Sequence, residues 1–320
     1  ISSAASDVYK RQDMLMFNAE EAGIVVKFEK KDTPQKVNIK LFRQGPKDIR
    51  LNDTKISQKE LIGTLNTVIF CPEDLQLIKG TPSGRRRFLD MEISQTSATY
   101  YHQLMQYNRL LQQRNAVLKE YRGKNTIPLE EWDLQLADMA SFIVKKRLES
   151  LKKINLLIDL MNRKLTGGLE NLTIGYEQPY MDNGSLEYTK EGFYERIKAA
   201  LPQDRHRLST SVGPHRDDLR FFSDAMDLKK FGSQGQQRTA VLSLKLSELE
   251  FIKSEVGEYP VLLLDDVLSE LDESRRTNLL QFIHKRIQTF ITTTDIHDFK
   301  DLKSVQFISC EGGQVQYGQP

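Results

Sequence analysis

The sequence predicts an α/β fold, in which a mixed sheet with flanking helices is divided by an inserted helical lobe. One observation is the apolar run Val261–Leu264, which ends in Asp265 and Asp266 and is typical of a buried parallel strand. Another is the helical periodicity upstream of that strand, from Gln236 to about Glu255. The third is a pair of long helical patterns between residues 104 and 165.

The composition is that of a globular protein of one large domain or two smaller ones. The chain has 320 residues, of which 39% are hydrophobic and 28% charged, and a net charge of +2. Cys71 and Cys310 give neither a disulfide framework nor a metal-ligand spacing, which fits a reducing cytoplasm. The sequence has no apolar run of about eighteen residues, so no membrane span is predicted. Near-neutral charge means that any basic nucleic-acid footprint must be local.

The first part of the chain predicts a β section. Apolar residues alternate between Gly23 and Asp53, which predicts antiparallel strands with Ile24 and Val26 on one face. Val68–Phe70 is predicted to be a short buried strand that leads into Pro72-Glu73-Asp74. The two acids after the proline are interpreted as residues of a helix N-terminus.

A local basic cluster follows, between Arg85 and Lys124. It holds eight arginines and lysines against three acids, with five interleaved aromatic residues. This pattern suits contact with a phosphate backbone and some base stacking. A solvated helix face, with the three consecutive arginines paired internally to acids such as Asp90, is an equally weighted alternative. The candidate DNA contacts are Arg85, Arg86, Arg87, Arg109 and Arg114.

The helical lobe is predicted from two apolar seams. Leucine recurs every seven residues between Leu104 and Leu118, and a second seam runs from Trp132 to Leu165. The turn Gly123–Pro128 separates them, so the two helices should pack as a short antiparallel pair that ends at Gly167-Gly168. The remaining predicted elements are strands in 171–188 around the turn Asp182-Asn183-Gly184, helices at Lys190–Leu201 and Ser274–Ile287, a strand at Thr289–Thr293 and a hairpin at Ser304–Tyr317.

Two stretches carry the candidate chemistry. Phe231–Arg238 places glycines, a serine and glutamines at a helix N-terminus, where free N–H groups favour an anion and Gly232 and Gly235 permit close approach. A helix cap without a ligand is an equal alternative for this loop alone. At the strand end, Asp265 is placed to hold Mg²⁺ beside a phosphate, and Asp266 to orient or deprotonate water. The alternative is an ordinary turn after a strand.

Four ordered motifs resemble the RecF family of bacterial recombination-repair ATPases, which belongs with the ABC and SMC-type heads. They are Pro72–Asp90, Gly213–Asp218, Ser233–Arg238 and Leu262–Asp272, and the match runs from about Asp13 to the C-terminus. The resemblance implies an ABC/SMC-type P-loop ATPase head with an inserted helical lobe. The implied division is an unmatched segment at 1–12, a first core part at 13–90, a lobe at 91–204 and a second core part at 205–320.

The resemblance also implies an activity. Two heads would enclose ATP and Mg²⁺ between them as a homodimer that binds single-stranded, gapped or duplex DNA in repair, replication and the SOS response, with recombination-mediator proteins as partners. The nucleotide contacts would be Ser233, Gln234, Gly235, Gln236 and Asp265, with Mg²⁺ on Asp265, Asp266 as the catalytic group, and the dimer seam at Ser269, Glu270, Leu271 and Asp272. A nucleotide-sensing relay through Glu73 and Asp74, and nucleotide or DNA contacts by His215 and Arg216, are further implications; a metal site at His215 is disfavoured.

The sequence departs from the family in two places. It contains no Gly-x-x-x-x-Gly-Lys-Ser/Thr loop, so we expect the segment that holds the nucleotide to be missing and residues 1–12 to be unrelated to the rest. A non-hydrolysing module that binds DNA or a partner protein is therefore the alternative function. Where many ABC-type ATPases place a switch histidine, this chain has Asp295, with His297 two residues later.

Overall fold

The computed structural model describes residues 14–318, except 125, 169, 181–187, 295–298 and 300–304. The segment 1–12, the predicted turn Asp182-Asn183-Gly184, Asp295 and His297 lie outside the described residues. The strands are β1 (Glu21–Lys30), β2 (Thr33–Phe42), β3 (Asp48–Leu51), β4 (Thr54–Lys55), β5 (Thr67–Phe70), β6 (Leu172–Glu177), β7 (Asp218–Ser223), β8 (Met226–Asp227), β9 (Val261–Asp265), β10 (Thr289–Thr292), β11 (Phe307–Glu311) and β12 (Gln314–Gly318). The helices are α1 (Gln58–Leu61), α2 (Gln76–Lys79), α3 (Pro82–Thr96), α4 (Ala98–Glu120), α5 (Glu130–Thr166), α6 (Lys190–Ala199), α7 (Leu201–Arg207), α8 (Leu228–Phe231), α9 (Gln234–Val256) and α10 (Glu273–Ile283).

The first sheet is antiparallel, as the alternation predicts. Its order is β1-β2-β3-β4, with Ile24 opposite Ile39. The residues that alternate inward form a small core of their own, because successive side chains of a strand point to opposite faces. The buried members of that core are Val37, Ile39, Leu41 and Ile49.

The second sheet is parallel and carries the predicted acid-tipped strand. Its order is β10-β9-β5, and Leu264 lies opposite Phe70 and Ile291. Leu262 and Leu264 are each 1% exposed, which confirms the buried face of the strand. Asp265 pairs with Thr292 at the last register position of β9 and β10. The carboxyl ends of the two strands therefore place these polar side chains side by side.

The lobe contains the predicted pair of long helices, α4 and α5, which pack against each other. Helix α5 ends at Gly167, whose φ of +71° is a left-handed conformation that favours glycine. The third sheet has the order β6-β7-β8, in which β6 pairs with β7 along the chain's long-range contacts. The strand predicted before the turn Asp182-Asn183-Gly184 is present as β6, and the predicted turn itself lies outside the described residues.

Helix α9 connects the lobe to the parallel sheet. The prediction of an amphipathic helix was wrong, because α9 packs against α5 as well as β5 and is buried on nearly all sides. The predicted core positions Leu242 and Ile252 are indeed buried, and so are Ser243 and Ser247 on other faces. The two serine hydroxyls donate to the backbone carbonyls of Thr239 and Leu244, at 2.8 and 2.7 Å, which satisfies them inside the core.

The C-terminal elements follow the prediction with one change of boundary. Helix α10 ends at Ile283, four residues before the predicted end, and the chain turns at Lys285, whose φ is +57°. The strands β11 and β12 form the predicted hairpin about Gly312-Gly313. Within the described ranges, no helix has the length and apolar character that a membrane crossing requires.

Candidate nucleotide-binding site

The two acids at the end of β9 are exposed and are positioned by the neighbouring strand. The hydroxyl of Thr292 donates to Oδ1 of Asp265 at 2.7 Å. The hydroxyl oxygen of Thr292 also accepts from the backbone N–H of Asp266 at 3.1 Å. One threonine therefore ties both acids to the end of β10. Its position was visible in the sequence as a polar residue at the end of the next strand, but its role was not predicted.

Asp266 occupies a bend directly after the last residue of β9. Its φ is +52°, a left-handed conformation that costs a non-glycine residue on the order of 1 kcal/mol. The hydroxyl of Ser269 donates to the carbonyl oxygen of Asp266 at 2.8 Å and lies 3.2 Å from its Oδ1. The bend is thus supported from the following turn, and the side chain of Asp266 stays accessible to a ligand.

The donor set at this strand end fits Mg²⁺ bound together with a phosphate. Asp265 and Asp266 are exposed carboxylates, and Thr292 adds a hydroxyl oxygen. Mg²⁺ prefers such oxygen ligands and is commonly held by one or two carboxylates plus phosphates and water. In the part of the chain that the structure describes, no group of three or more histidine, cysteine or acidic side chains could hold a metal alone. A nucleotide would have to complete the coordination here.

The glycine- and glutamine-rich loop is a helix N-terminus with a capping box. Ser233 accepts from the N–H of Gln236 at 3.2 Å, and the Gln236 side chain accepts from the N–H of Ser233 at 3.0 Å. Gln236 also donates to Glu170 in the lobe at 2.9 Å, which anchors it. Gln234 is exposed. The N–H groups of Gln234 and Gly235, in the first turn of α9, are therefore the ones available for an anion.

The two glycines of this loop differ in their surroundings. A Cβ on Gly232 would lie 2.7 Å from the carbonyl oxygen of Leu228, so this glycine is required by packing inside the chain. The approach of a phosphate to the backbone of Gly232 stays a prediction. A Cβ on Gly235 would meet only the hydroxyl of Ser233, at 4.0 Å, so this position is open from outside.

The loop Phe231–Arg238 and the acids Asp265 and Asp266 belong to different elements, the start of α9 and the end of β9. Asp74, which follows the end of β5, contacts Lys245 in α9 at 3.4 Å. Ser233 is the N-cap of α9 and lies twelve residues before Lys245. At 1.5 Å per residue, Ser233 lies about 18 Å along the helix axis from Lys245, which contacts the turn after β5. Within the described chain, the loop at Ser233 and the acids at Asp265 and Asp266 therefore contact different residues.

The predicted seam residues have different environments. Ser269 and Asp272 are exposed, and Asp272 caps α10 by accepting from the N–H of Arg275 at 2.9 Å. Leu271 is only 6% exposed and packs in the main core, so its side chain does not lie on the surface as a seam residue should. The side chain of Glu270 lies outside the described residues.

Two of the predicted DNA contacts are structural ion pairs. Arg85 is 3% exposed and binds Asp218 through two N–H groups, each at 2.8 Å. Arg114 is 0% exposed and pairs with Asp133 at 2.6 Å and Asp204 at 2.7 Å. Neither guanidinium can reach a nucleic acid in this structure. The internal-pairing interpretation is therefore correct for Arg85, and Arg114, for which no such pairing was predicted, is buried in the same way.

The other three arginines keep some exposure. Arg109 is exposed on α4, and Arg86 and Arg87 are half-buried on α3. Successive residues of a helix point about 100° apart, so the three consecutive arginines face different directions. The sequence alone could not distinguish the inward Arg85 from its neighbours.

His215 is a structural residue and not a free ligand. Its Nδ1 lies 2.6 Å from the hydroxyl of Tyr107, and its Nε2 lies 3.0 Å from the carbonyl oxygen of Thr210. Because a carbonyl can only accept, Nε2 carries the proton and Nδ1 accepts. Burial lowers the pKa of His215 to about 4, so the ring is neutral near pH 7. Arg216 is exposed and donates to the same Thr210 carbonyl.

A buried charge cluster at the junction of β5, α3 and α9 was missed by the sequence analysis. Lys245 lies 3.4 Å from Asp74 and 3.3 Å from Glu248. Glu92 is nearby, and burial raises its pKa to about 7. Asp74 also accepts from the N–H of Cys71 at 2.9 Å, which confirms its interpretation as a helix N-terminal acid. No short motif in the sequence signals the cluster, because its members come from distant segments.

The comparisons with known proteins agree with this architecture. A scan against models of protein families finds no match. The DNA replication and repair protein RecF of Alkaliphilus oremlandii (strain OhILAs) is 46% identical over 295 residues, which are 91% of this chain and 80% of that protein. RecF of Clostridium botulinum (strain Eklund 17B / Type B) is 44% identical over 305 residues, 94% of this chain and 83% of the relative.

Solved structures give the same result. The structure of the recombination mediator protein RecF with ATP in the RecFOR pathway has a TM-score of 0.88 and 34% identity, covering 97% of this chain and 83% of that one. The Smc head domain of Pyrococcus furiosus, solved with an extended coiled coil and the C-terminal domain of ScpA, has a TM-score of 0.52 and 14% identity, covering 99% of this chain and 83% of that one. The latter likeness concerns the fold alone. The predicted ABC/SMC-type ATPase head is confirmed.

Proposed function

Since the chain belongs to the RecF family of DNA replication and repair proteins, we propose that it is an ATP-dependent DNA-binding protein of recombination repair and replication. The family assignment rests on identities of 40–46% to relatives of that name. Binding of ATP is supported by the RecF structure solved with ATP, which this chain resembles over 97% of its length. The division into a core at 13–90 and 205–320 and a lobe at 91–204 belongs to the same proposal.

The observation that carries the proposal is the exposed position of Ser233 at the N-terminus of a 23-residue helix. It lies about 18 Å along the helix axis from Lys245, the residue that contacts Asp74. In the proposal, a phosphate held near Asp265 is contacted by Ser233 of a second copy of the chain. Two chains facing each other would bring both motifs to each nucleotide and enclose two ATP molecules in a homodimer. The seam would include Ser269 and Asp272.

The residues at the strand end have distinct roles in this proposal. Asp265, oriented by Thr292, would hold Mg²⁺, and Asp266 would orient or deprotonate the attacking water. When bound, Mg²⁺ neutralises charge that develops on the phosphates. Across the dimer, Ser233 and the first N–H groups of α9, at Gln234 and Gly235, would stabilise the γ-phosphate through the helix N-terminus.

DNA binding is proposed for the exposed part of the basic cluster. Arg109 on α4 and the half-buried Arg86 and Arg87 on α3 are the candidates that the structure leaves accessible. Contacts of this kind to phosphates are independent of sequence and strongly dependent on salt. We propose single-stranded, gapped or duplex DNA as the ligand, release of DNA on hydrolysis, and recombination-mediator proteins of the same pathway as partners.

The second candidate is a DNA- or partner-binding module without hydrolysis. One observation favours it, namely that the 320-residue sequence has no phosphate loop. The loop lysine and backbone amides supply many of the contacts to the phosphates. Experiments on ATP binding, hydrolysis and dimer closure therefore use a form of the protein that carries such a loop, which we call the phosphate-loop form.

The experiment that separates the two candidates is DNA binding with and without ATP. The phosphate-loop form should bind labelled gapped DNA more tightly with a slowly hydrolysed ATP analogue than without nucleotide, by fluorescence anisotropy at a fixed salt concentration. ATP should release the DNA as it is hydrolysed. Equal affinity in all three states, with no hydrolysis, would favour the non-hydrolysing module.

A further inference from the structure

A cleft of about 340 Å³ lies between the helical lobe and the adjoining core residues, apart from the residues assigned to ATP. It is bounded by α3, by α4 and by the turn that contains Pro214 and His215. Neither Ser233 nor Asp265 lines it. Its polar lining includes Arg86, and its apolar lining includes Leu104.

The carboxylates around the cleft are already neutralised by other partners. Asp90 lines the cleft but pairs with Arg147, whose Nη2 lies 2.8 Å from its Oδ1, and it also accepts from Tyr100. Asp218 is bound by Arg85. Each of these acids lies against a guanidinium, which offsets part of its negative charge at the cleft.

Arg86 faces this cleft with donors to spare. Its Nη1 donates to the backbone carbonyl of Asp217 at 2.7 Å. A guanidinium has five N–H donors, so among the described residues Arg86 keeps further donors for a ligand. Burial, and then the neighbouring Arg147, lower the pKa of Arg86. A lowered pKa means that the surroundings disfavour the positive charge of Arg86. An anion bound beside Arg86 would compensate that charge.

The other wall of the cleft suits a flat, mostly apolar ring. Tyr101 and Leu104 are half-buried side chains on one face of α4, and Met91 lies on α3. The imidazole of His215 is neutral and has both nitrogens engaged within the protein. Aromatic and aliphatic side chains beside a cationic group are the combination on which nucleic-acid bases stack with their phosphate held nearby.

We propose that this cleft binds one unstacked nucleotide of a DNA strand, with its phosphate on Arg86 and its base against Tyr101 and Leu104. The inference rests on the proposed DNA-binding function and gives that function a defined site. The volume of about 340 Å³ is at the small end of ligand pockets, which suits a single nucleotide. The nucleotide comes either from a strand end or from the interior of a single strand, and the two sources share this chemistry.

The first test uses the 320-residue chain and free ligands. Deoxythymidine monophosphate should bind measurably in a titration followed by NMR, with chemical-shift changes at the residues of the cleft. Thymidine and inorganic phosphate should each bind at least about tenfold more weakly, because each lacks one half of the contacts. Inorganic phosphate binding as tightly as the mononucleotide, or no binding of the mononucleotide, would overturn the proposal.

The second test uses variants of the cleft. Arg86→Ala should weaken mononucleotide binding about tenfold or more, and Leu104→Trp should weaken it similarly by filling the base site without a change of charge. Arg207→Ala is the control, since Arg207 is an exposed arginine on α7 that does not line the cleft. Circular dichroism verifies the fold of each variant. Unchanged affinity in the two cleft variants would place the ligand elsewhere.

The third test connects the cleft to DNA and identifies the source of the nucleotide. Linear single-stranded DNA and a closed circle of the same sequence should bind equally if the nucleotide is internal, whereas an end-bound nucleotide requires the linear strand. Arg86→Ala and Leu104→Trp should weaken whichever binding is found. DNA binding that is the same in wild type and both variants would reject the cleft and keep the proposed function. Absence of DNA binding by wild type would reject the proposed function itself.

Discussion

Arg114 offers the sharpest test of how the helical lobe is held together. Its guanidinium is fully buried between Asp133 on α5 and Asp204 on α7, and it also donates to the hydroxyl of Thr210 at 2.9 Å. Replacement with methionine keeps much of the volume and removes the charge. Two buried carboxylates would then lose the cation that compensates them.

The expected loss is about 3–5 kcal/mol of the free energy of unfolding, the usual cost of removing one partner from a buried ion pair. Burial already raises the pKa of Asp133, and loss of Arg114 should raise it further. The native state then binds a proton more tightly than the unfolded state, so stability falls as the pH rises. The loss caused by Arg114→Met should therefore be larger at pH 8 than at pH 5.

The assay is urea denaturation followed by circular dichroism at both pH values. Arg109→Met is the matched control, because it makes the same change on the same helix at an exposed position. Asp133→Asn in the Arg114→Met background should recover part of the loss, since it removes one uncompensated carboxylate. A loss below about 1 kcal/mol, equal to that of the control and independent of pH, would refute the ion-pair account.

Three further predictions concern catalysis, titration and nucleotide. In the phosphate-loop form, Asp266→Asn should keep ATP binding but slow hydrolysis by at least about 10²-fold in a phosphate-release assay, and normal turnover would assign the base elsewhere. Because burial raises the pKa of Glu92 to about 7, stability should fall as the pH rises from about 5 through 7. Glu92→Gln should flatten that dependence in urea titrations while the exposed Glu120→Gln should not; equal slopes in both variants would contradict it. The 320-residue chain alone should show no ATP binding in the micromolar range by calorimetry, and micromolar affinity would contradict the role given to the phosphate loop.

Local patterns in the sequence were sufficient for the fold. The acid-tipped strand β9, the alternating strands of the first sheet and the helices α4 and α5 all follow from short-range periodicity. Helix α9 was mispredicted as amphipathic, because the residues that bury its other faces come from α5 in the lobe, which ends 68 residues before α9 begins. Periodicity within one helix cannot show that two layers cover it.

The candidate site was less predictable than the fold, since side-chain roles depend on partners that are distant in sequence. Arg85 pairs with Asp218, which lies 133 residues later in the chain. Arg114 pairs with Asp204, which lies 90 residues later. Arginines of one basic cluster are therefore either buried in ion pairs or exposed. Which of the two applies depends on acids that lie outside the cluster in the sequence. The exposed position of Asp265 and Asp266 at a strand end was predictable from the apolar run before them, whereas Thr292, which orients both, comes from the next strand of the sheet, 26 and 27 residues later.

The central claim is that Ser233 acts across a dimer that ATP closes. Equilibrium sedimentation of the phosphate-loop form with a slowly hydrolysed ATP analogue tests it most directly. Wild type should be a dimer with the analogue and a monomer without it, and Ser233→Arg should bind the analogue but stay monomeric, because a bulky cation at the start of α9 blocks the approach of the partner. Ser57→Arg is the matched control, since Ser57 caps α1 with the same kind of capping box and should leave the dimer intact. A dimer of normal affinity in Ser233→Arg would mean that the loop is only a helix cap, and the account of two chains enclosing ATP would be wrong.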